Sequence, residues 1–126
     1  MKSLTKAEEQ VMQHLWDLNK AFLKELADAF IEPKPAYSTI STMVRILIDK
    51  GFIGFKKYGR DREYYPLVER EEYLKGQFKG VLNSYFHGSF SQFASFYTGA
   101  DNMNMEELRE IQQIINDQIK NHKPKK

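Results

Sequence analysis

Cysteine is absent from the 126 residues, so neither a disulfide nor a thiolate metal site is available, and the chain suits a reducing compartment. Long apolar runs are absent too, so no membrane-spanning helix and no direct membrane insertion are expected. The opening MKSLTKAEEQ is charged and has no apolar centre, so a secretory signal is not expected there and a cytoplasmic location is. Catalytic motifs are missing as well. His14, His87 and His122 lie far apart, and there is no HExxH, no glycine-rich phosphate loop and no nucleophile elbow. The acidic pairs Glu8–Glu9, Glu71–Glu72 and Glu106–Glu107 sit near expected helix starts, where they complement the helix dipole. These absences point away from an enzyme, and no cofactor or metal is expected.

Charge of one sign is also scarce: the net charge is only +2. Its distribution is more informative. Residues 34–66 hold Lys34, Arg45, Lys50, Lys56, Lys57, Arg60 and Arg62 against Asp49, Asp61 and Glu63, whereas residues 67–126 balance eight cations with eight acids. A local basic patch beside a neutral remainder fits a polyanion-binding face joined to something else; a solvated surface with a chance excess is the plainer alternative.

What is present is a set of amphipathic patterns. Thr5 with Glu8 is a capping box, and Val11, Met12, Leu15 and Trp16 follow at helical spacing, predicting a first helix over about 5–18. NKAFLKELADAF predicts a second helix, with Phe22, Leu23, Leu26, Ala27 and Phe30 on one side, broken by Pro33 and Pro35. A third runs from about Ser38 to Lys50 and stops at Gly51. FIGFKKY, GRDR and EYYPL then read as strand, turn and strand, a two-stranded hairpin with a charged tip. The expected fold is mainly α with a small β-hairpin: a winged helix-turn-helix over 1–68, a C-terminal helical dimerisation region over 69–121 and a basic tail over 122–126.

The third helix poses the functional question. Ile40, Met43, Val44, Leu47 and Ile48 form an apolar stripe, and the other side carries Ser38, Thr39, Ser41, Thr42 and Arg45. Hydroxyl residues are poor helix formers because they compete with the backbone for hydrogen bonds. A side that merely faced water would favour Lys, Glu and Gln. Short hydroxyl side chains instead let a helix approach a DNA groove, where they bond phosphates or bases and a threonine methyl packs on thymine. In the hairpin, Lys56, Lys57, Arg60 and Arg62 fit contacts along a phosphate backbone or in a minor groove. They equally fit charges that guard an exposed edge strand. A winged-helix module that binds protein instead of DNA stays open on these grounds.

Beyond residue 69 the helices are rich in aromatics. Tyr73, Phe78, Val81, Leu82, Tyr85 and Phe86 share one side of the next helix; Phe90, Phe93, Phe96 and Tyr97 follow, and Leu108, Ile111, Ile115 and Ile119 form a closing stripe. So short a region has too little mass for a core of its own, so a second copy of the chain is the economical partner, with Phe78, Leu82, Phe86, Phe90, Phe93, Phe96, Leu108, Ile111 and Ile115 as the dimerisation residues.

LTKAEEQVMQHLW, YSTISTMVRILIDKGFI, GRDREYYPLV and NMEELREIQQII together resemble, in order, the penicillinase repressor and methicillin-resistance regulator family of BlaI/MecI type. The resemblance implies a homodimeric repressor on a promoter dyad of double-stranded DNA, with Ser38, Thr39, Ser41 and Thr42 facing bases and phosphates and Arg60 and Arg62 in the wing. The family often carries Arg where this chain has Ile46, with Arg45 one residue earlier, so the resemblance implies an altered operator preference. It also implies relief of repression by proteolysis, through a membrane sensor protease that responds to a β-lactam. The family's Asn–Phe bond corresponds to Ser95–Phe96 here, where the Phe matches and the Asn does not; Phe96 equally reads as a dimer-core aromatic. Copper-responsive relatives use C-terminal cysteines, which this chain lacks.

Overall fold

The computed structural model describes residues 3–99 and 101–122. By backbone contacts the chain divides into two compact units, Met1–Phe78 and Lys79–Lys126.

The first unit begins with α1 (Lys6–Leu18). The capping box forms as expected: the Glu8 N–H donates to Thr5 Oγ1 at 3.1 Å and the Thr5 N–H donates to Glu8 Oε1 at 3.0 Å. Asn19 then takes a left-handed φ of 72° and turns the chain out of the helix.

Here the structure corrects the sequence reading. The second helix does not start near Asn19. Ala21 and Phe22 are a short strand, β1, and only Leu23–Asp28 is helical, α2. Glu25 fixes the start of α2 by accepting the Phe22 N–H at 2.8 Å. The expected apolar side survives the change, with Leu26 and Phe30 buried.

The third helix, α3 (Tyr37–Asp49), buries Ile40, Val44 and Leu47, while Met43 and Ile48 pack at the core's edge. It ends in a Schellman motif: Phe52 N–H donates to the Leu47 carbonyl at 2.9 Å and Gly51 N–H to that of Ile48 at 3.0 Å. Gly51 has a φ of 84° and open space where a Cβ would stand, so only its backbone conformation demands glycine.

The wing follows as β2 (Ile53–Tyr58) and β3 (Asp61–Pro66), joined by a two-residue turn with Gly59 at a φ of 64°. The expected two-stranded hairpin is in fact a three-stranded antiparallel sheet of order β1-β3-β2, because Ala21 pairs with Tyr64 and Phe22 with Glu63.

The core of this unit is built from α1, β1, α2, α3 and β2 and from Phe30 and Phe52 in the segments between them, with one contributor from further along the chain. Tyr73, in α4 (Arg70–Tyr85), is only 5% exposed and packs edge-on to Phe52 and against Trp16. The Trp16 indole donates to the Val68 carbonyl at 2.8 Å, and Arg70 pairs with Asp17. The start of α4 thus belongs to the winged-helix unit, and Tyr73 serves that core; the division between units falls within α4, later than the boundary at 68 read from the sequence.

The second unit holds the rest of α4, then α5 (Phe90–Thr98) and α6 (Met105–Asn121). Ser89 caps α5 by accepting the Gln92 N–H at 3.1 Å, and Asn104 and Glu107 form a second full capping box. Phe86, Phe93 and Phe96 form an aromatic cluster, with Phe86 centred 5.5 Å from Phe93 and 5.6 Å from Phe96. No helix among the described residues is long and apolar enough to cross a membrane. Of the basic tail expected over 122–126, only His122 lies within the described residues.

Candidate nucleic-acid interface

With about 3.6 residues per turn, Thr42 falls on the line opposite the buried stripe of α3. Thr39 and Ile46 lie on one flank of that line, Ser38 and Arg45 on the other, and all five are exposed. Ser41 is half-buried at the margin. The outward face therefore gathers Ser38, Thr39, Thr42 and Arg45 of the residues named from the sequence, with Ser41 at its edge. Thr42 donates its hydroxyl proton to the Ser38 carbonyl at 3.0 Å, so outward it offers only a methyl group and oxygen lone pairs. Asp49 is exposed on the same line at the C-terminal end, where its charge opposes phosphate. The N-terminal two turns are thus the end fit to meet a polyanion.

That end has another suitable property. Ala36, the N-cap residue, provides no side-chain cap, so the positive pole of α3 stays open to an outside anion. A groove of about 470 Å³ opens beside it, lined by Phe22, Leu23, Lys24, Tyr37, Arg60, Asp61, Arg62 and Tyr64. Lys24 and Tyr37 escaped the sequence reading. Lys24 is a single cation on a short helix, and only the fold brings it near the wing. Tyr37 opens the stretch that holds the hydroxyl residues, but its place in the groove depends on where β3 runs.

The register sorts the wing's charges. Lys57 stands opposite Arg62, and Phe55 opposite Tyr64, so these four share one face of the sheet. Lys56 stands opposite Glu63, and Tyr58 opposite Asp61, so both acids fall on the other face. Two cations directly opposed repel each other, and a bound phosphate between them relieves that repulsion. The Arg62 guanidinium lies over the Phe55 ring, 4.5 Å from its centre, and this contact limits its search for a partner. Lys56 lies 5.4 Å from the Tyr58 ring centre, on the face that carries the acids, and is the weaker of the four expected wing contacts. Arg60 is exposed in the turn itself.

Lys50, counted in the basic segment, is occupied elsewhere. Its ammonium donates to Glu8 Oε1 at 2.6 Å and to the Ser3 carbonyl at 3.3 Å. The Glu8 side chain is nearly buried, and its hydrogen bond from Lys50 holds the carboxyl below the ordinary value of 4.5 against the opposing effect of burial. At Tyr73 burial prevails, pushing the phenol up, and the nearby Glu9 carboxylate adds to the rise. Among the described residues, no three His, Asp or Glu side chains are grouped to share a metal ion.

The nine residues expected at a dimer contact fall in the second unit, apart from Phe78, the last residue of the first. Phe78, Leu82, Phe86, Phe93 and Leu108 are half-buried within the chain, while Phe90, Phe96, Ile111 and Ile115 are exposed. On α6 the apolar face is broad, since Met105, Ile114 and Ile119 are exposed as well. The Ser95–Phe96 bond lies inside α5, and the Ser95 carbonyl accepts the Gly99 N–H at 3.1 Å.

The chain resembles known proteins along most of its length. It is 29% identical over 125 residues to the penicillinase repressor of Bacillus licheniformis, covering 95% of this chain and 94% of the relative. It is 26% identical over 114 residues to the methicillin resistance regulatory protein MecI of Staphylococcus aureus (strain N315), covering 90% and 93%. The solution structure of the DNA-binding domain of the repressor BlaI superposes with a TM-score of 0.50 at 28% identity, covering 58% of this chain and 94% of that domain. The sequence profile of penicillinase repressors matches residues 4–117, and the chain belongs to the penicillinase repressor family.

Proposed function

We propose that the protein is a homodimeric transcriptional repressor whose α3 enters the major groove of an operator while the wing grips the phosphate backbone. The observation that carries this reading is the sorting of side chains: a hydroxyl face on α3 stands in the same unit as a wing face that bears Lys57 and Arg62 without an acid. Ser38, Thr39, Ser41, Thr42 and Arg45 supply contacts in the groove; Lys57, Arg60 and Arg62 supply most of the phosphate contacts, with Lys56 secondary. In a two-fold dimer the paired helices meet half-sites about 34 Å apart, one turn of DNA. The second unit supplies the dimer contact, because α6 exposes a face that water solvates poorly.

Two sets of variants separate the roles. Thr39→Ala with Thr42→Ala is expected to reduce discrimination between operator and random DNA about tenfold or more, with the salt dependence unchanged. Arg60→Ala with Arg62→Ala is expected to weaken binding to both DNAs and to flatten the salt slope by roughly 2. Mobility shifts at several salt concentrations measure both quantities. Full operator discrimination in the threonine variant would place base reading elsewhere, and the absence of any salt-sensitive shift would favour a protein-binding module.

Release by proteolysis extends the same reading, with a membrane sensor protease as partner. Proteases cut extended chain, so cleavage at Ser95–Phe96 needs α5 to open locally. A nine-residue helix has little stability of its own, and Phe96 is 63% exposed, so the cost of opening is small. Co-production with a sensor protease encoded nearby is expected to yield an N-terminal fragment ending near Ser95 under induction. An intact chain in induced cells would reject the cleavage.

A further inference from the structure

We propose that Thr39, Thr42 and Ile46 form an apolar strip along α3 that reads the 5-methyl groups of thymines in the major groove, with Ile46 as the residue that sets this preference. The inference rests on the DNA-binding reading above and deepens it. Ile46 is 37% exposed on the outward side of α3, apart from the buried stripe that packs the helix. It follows Thr42 by one turn and Thr39 by two, so the three share one strip. Thr42 has committed its only proton to the Ser38 carbonyl, so it has none to donate to a base and meets its neighbour with a methyl group and lone pairs. The polar flank is separate: Ser38 and Arg45 lie on the other side of Thr42.

An apolar strip discriminates among bases in two ways. Thymine alone presents a methyl group in the major groove, and burying it against isoleucine is favourable. In its place cytosine presents only a C5–H, which leaves the contact unfilled, and a purine presents N7, an acceptor that would lose its water without gaining a partner. The occupant is DNA rather than another protein surface, because the strip begins at the end of α3 that has an open positive pole and stands beside Lys24, Arg60 and Arg62, which outnumber Asp61 in the same groove. The strip thus sets a preference at two or three adjacent positions of each half-site, and the wing adds affinity without sequence preference.

The test uses the full chain. A binding site is selected from random duplex DNA, and each thymine in it is replaced by deoxyuridine, which deletes the methyl and nothing else. Wild type is expected to lose about fourfold in affinity for each thymine that lies under the strip. The exposed position allows Ile46→Ala to fold normally, and this variant is expected to lose the uracil effect, to within twofold, at the thymine under Ile46 while keeping it at thymines under Thr39 and Thr42. A uracil effect equal in both proteins, or absent in wild type, overturns the strip while leaving the DNA-binding reading intact. Failure to select any preferred, salt-sensitive site overturns that reading and the strip with it.

Discussion

Replacing Lys50 by methionine is expected to destabilise the winged-helix unit by about 3 kcal/mol, because it leaves the Glu8 carboxylate buried without its cation. The methionine keeps the apolar stem of the lysine, so the loss isolates the charge. In a unit of this size the melting temperature should fall by roughly 15 °C, read by thermal unfolding at neutral pH. Restoring balance is the decisive step. Adding Glu8→Gln to Lys50→Met removes the stranded charge while the glutamine still closes the capping box with Thr5, so the double variant should recover most of the loss. Failure of that rescue would place the loss in the hydrogen bond from Lys50 to the Ser3 carbonyl instead of in the Glu8 charge.

The pH dependence has a definite sign. Glu8 titrates below its ordinary value of 4.5 in the folded chain, chiefly through its hydrogen bond from Lys50. The stabilisation from this group is therefore complete above 4.5 and is lost as pH falls through the folded value. In Lys50→Met the main cause of the lowering is gone, while burial and the opposing hydrogen bonds from Thr5 remain, so the carboxyl moves up and this contribution to the acid limb shrinks. Unfolding followed from pH 6 to pH 3 should show wild type losing stability on acidification, and Lys50→Met losing less. Parallel curves for the two proteins would remove Glu8 from the acid response.

The pair also shows what the sequence made legible and what it did not. Local signals carried α1 and α3: the Thr5–Glu8 spacing, the apolar stripe and Gly51 each depend on residues within a few positions of one another, and each formed in the expected way. The misread features depend on distant partners. Ala21 and Phe22 continue a helical pattern, yet they become a strand because Tyr64 and Glu63 pair with them. Periodicity placed Tyr73 on an apolar side of α4, but it could not say that Phe52 and Trp16 would be its neighbours. Composition counted Lys50 with the basic patch, although Glu8, far upstream in the chain, takes up its charge. The wing's cations were visible as residues, but their separation from Asp61 and Glu63 is a matter of register. In each case the chemistry was present in the sequence and the address was tertiary.

The second large effect is expected at α6. Ile111→Glu combined with Ile115→Glu should convert the proposed dimer to a monomer and lower operator affinity by about 10² to 10⁴, the gain that linking two half-site contacts provides. Both isoleucines are substantially exposed in the single chain, so glutamate at these positions leaves the helix free to form. At a two-fold contact each substitution appears twice, placing four carboxylates where apolar surface was to be buried. Desolvating those charges costs far more than the lost methyl contacts, so the association itself should fail. Sedimentation measures the assembly state, and mobility shifts on a whole operator and on an isolated half-site measure the consequence. The discriminating pattern is a large loss on the whole operator with little change on the half-site, because the winged-helix unit carries its own core and the whole of the proposed DNA-facing surface. A variant that stays dimeric would move the contact to another face of the second unit, such as the α5 face bearing Phe90 and Phe96. A variant that becomes monomeric yet keeps full operator affinity would show that one winged-helix unit suffices, and the requirement for a dyad would fall.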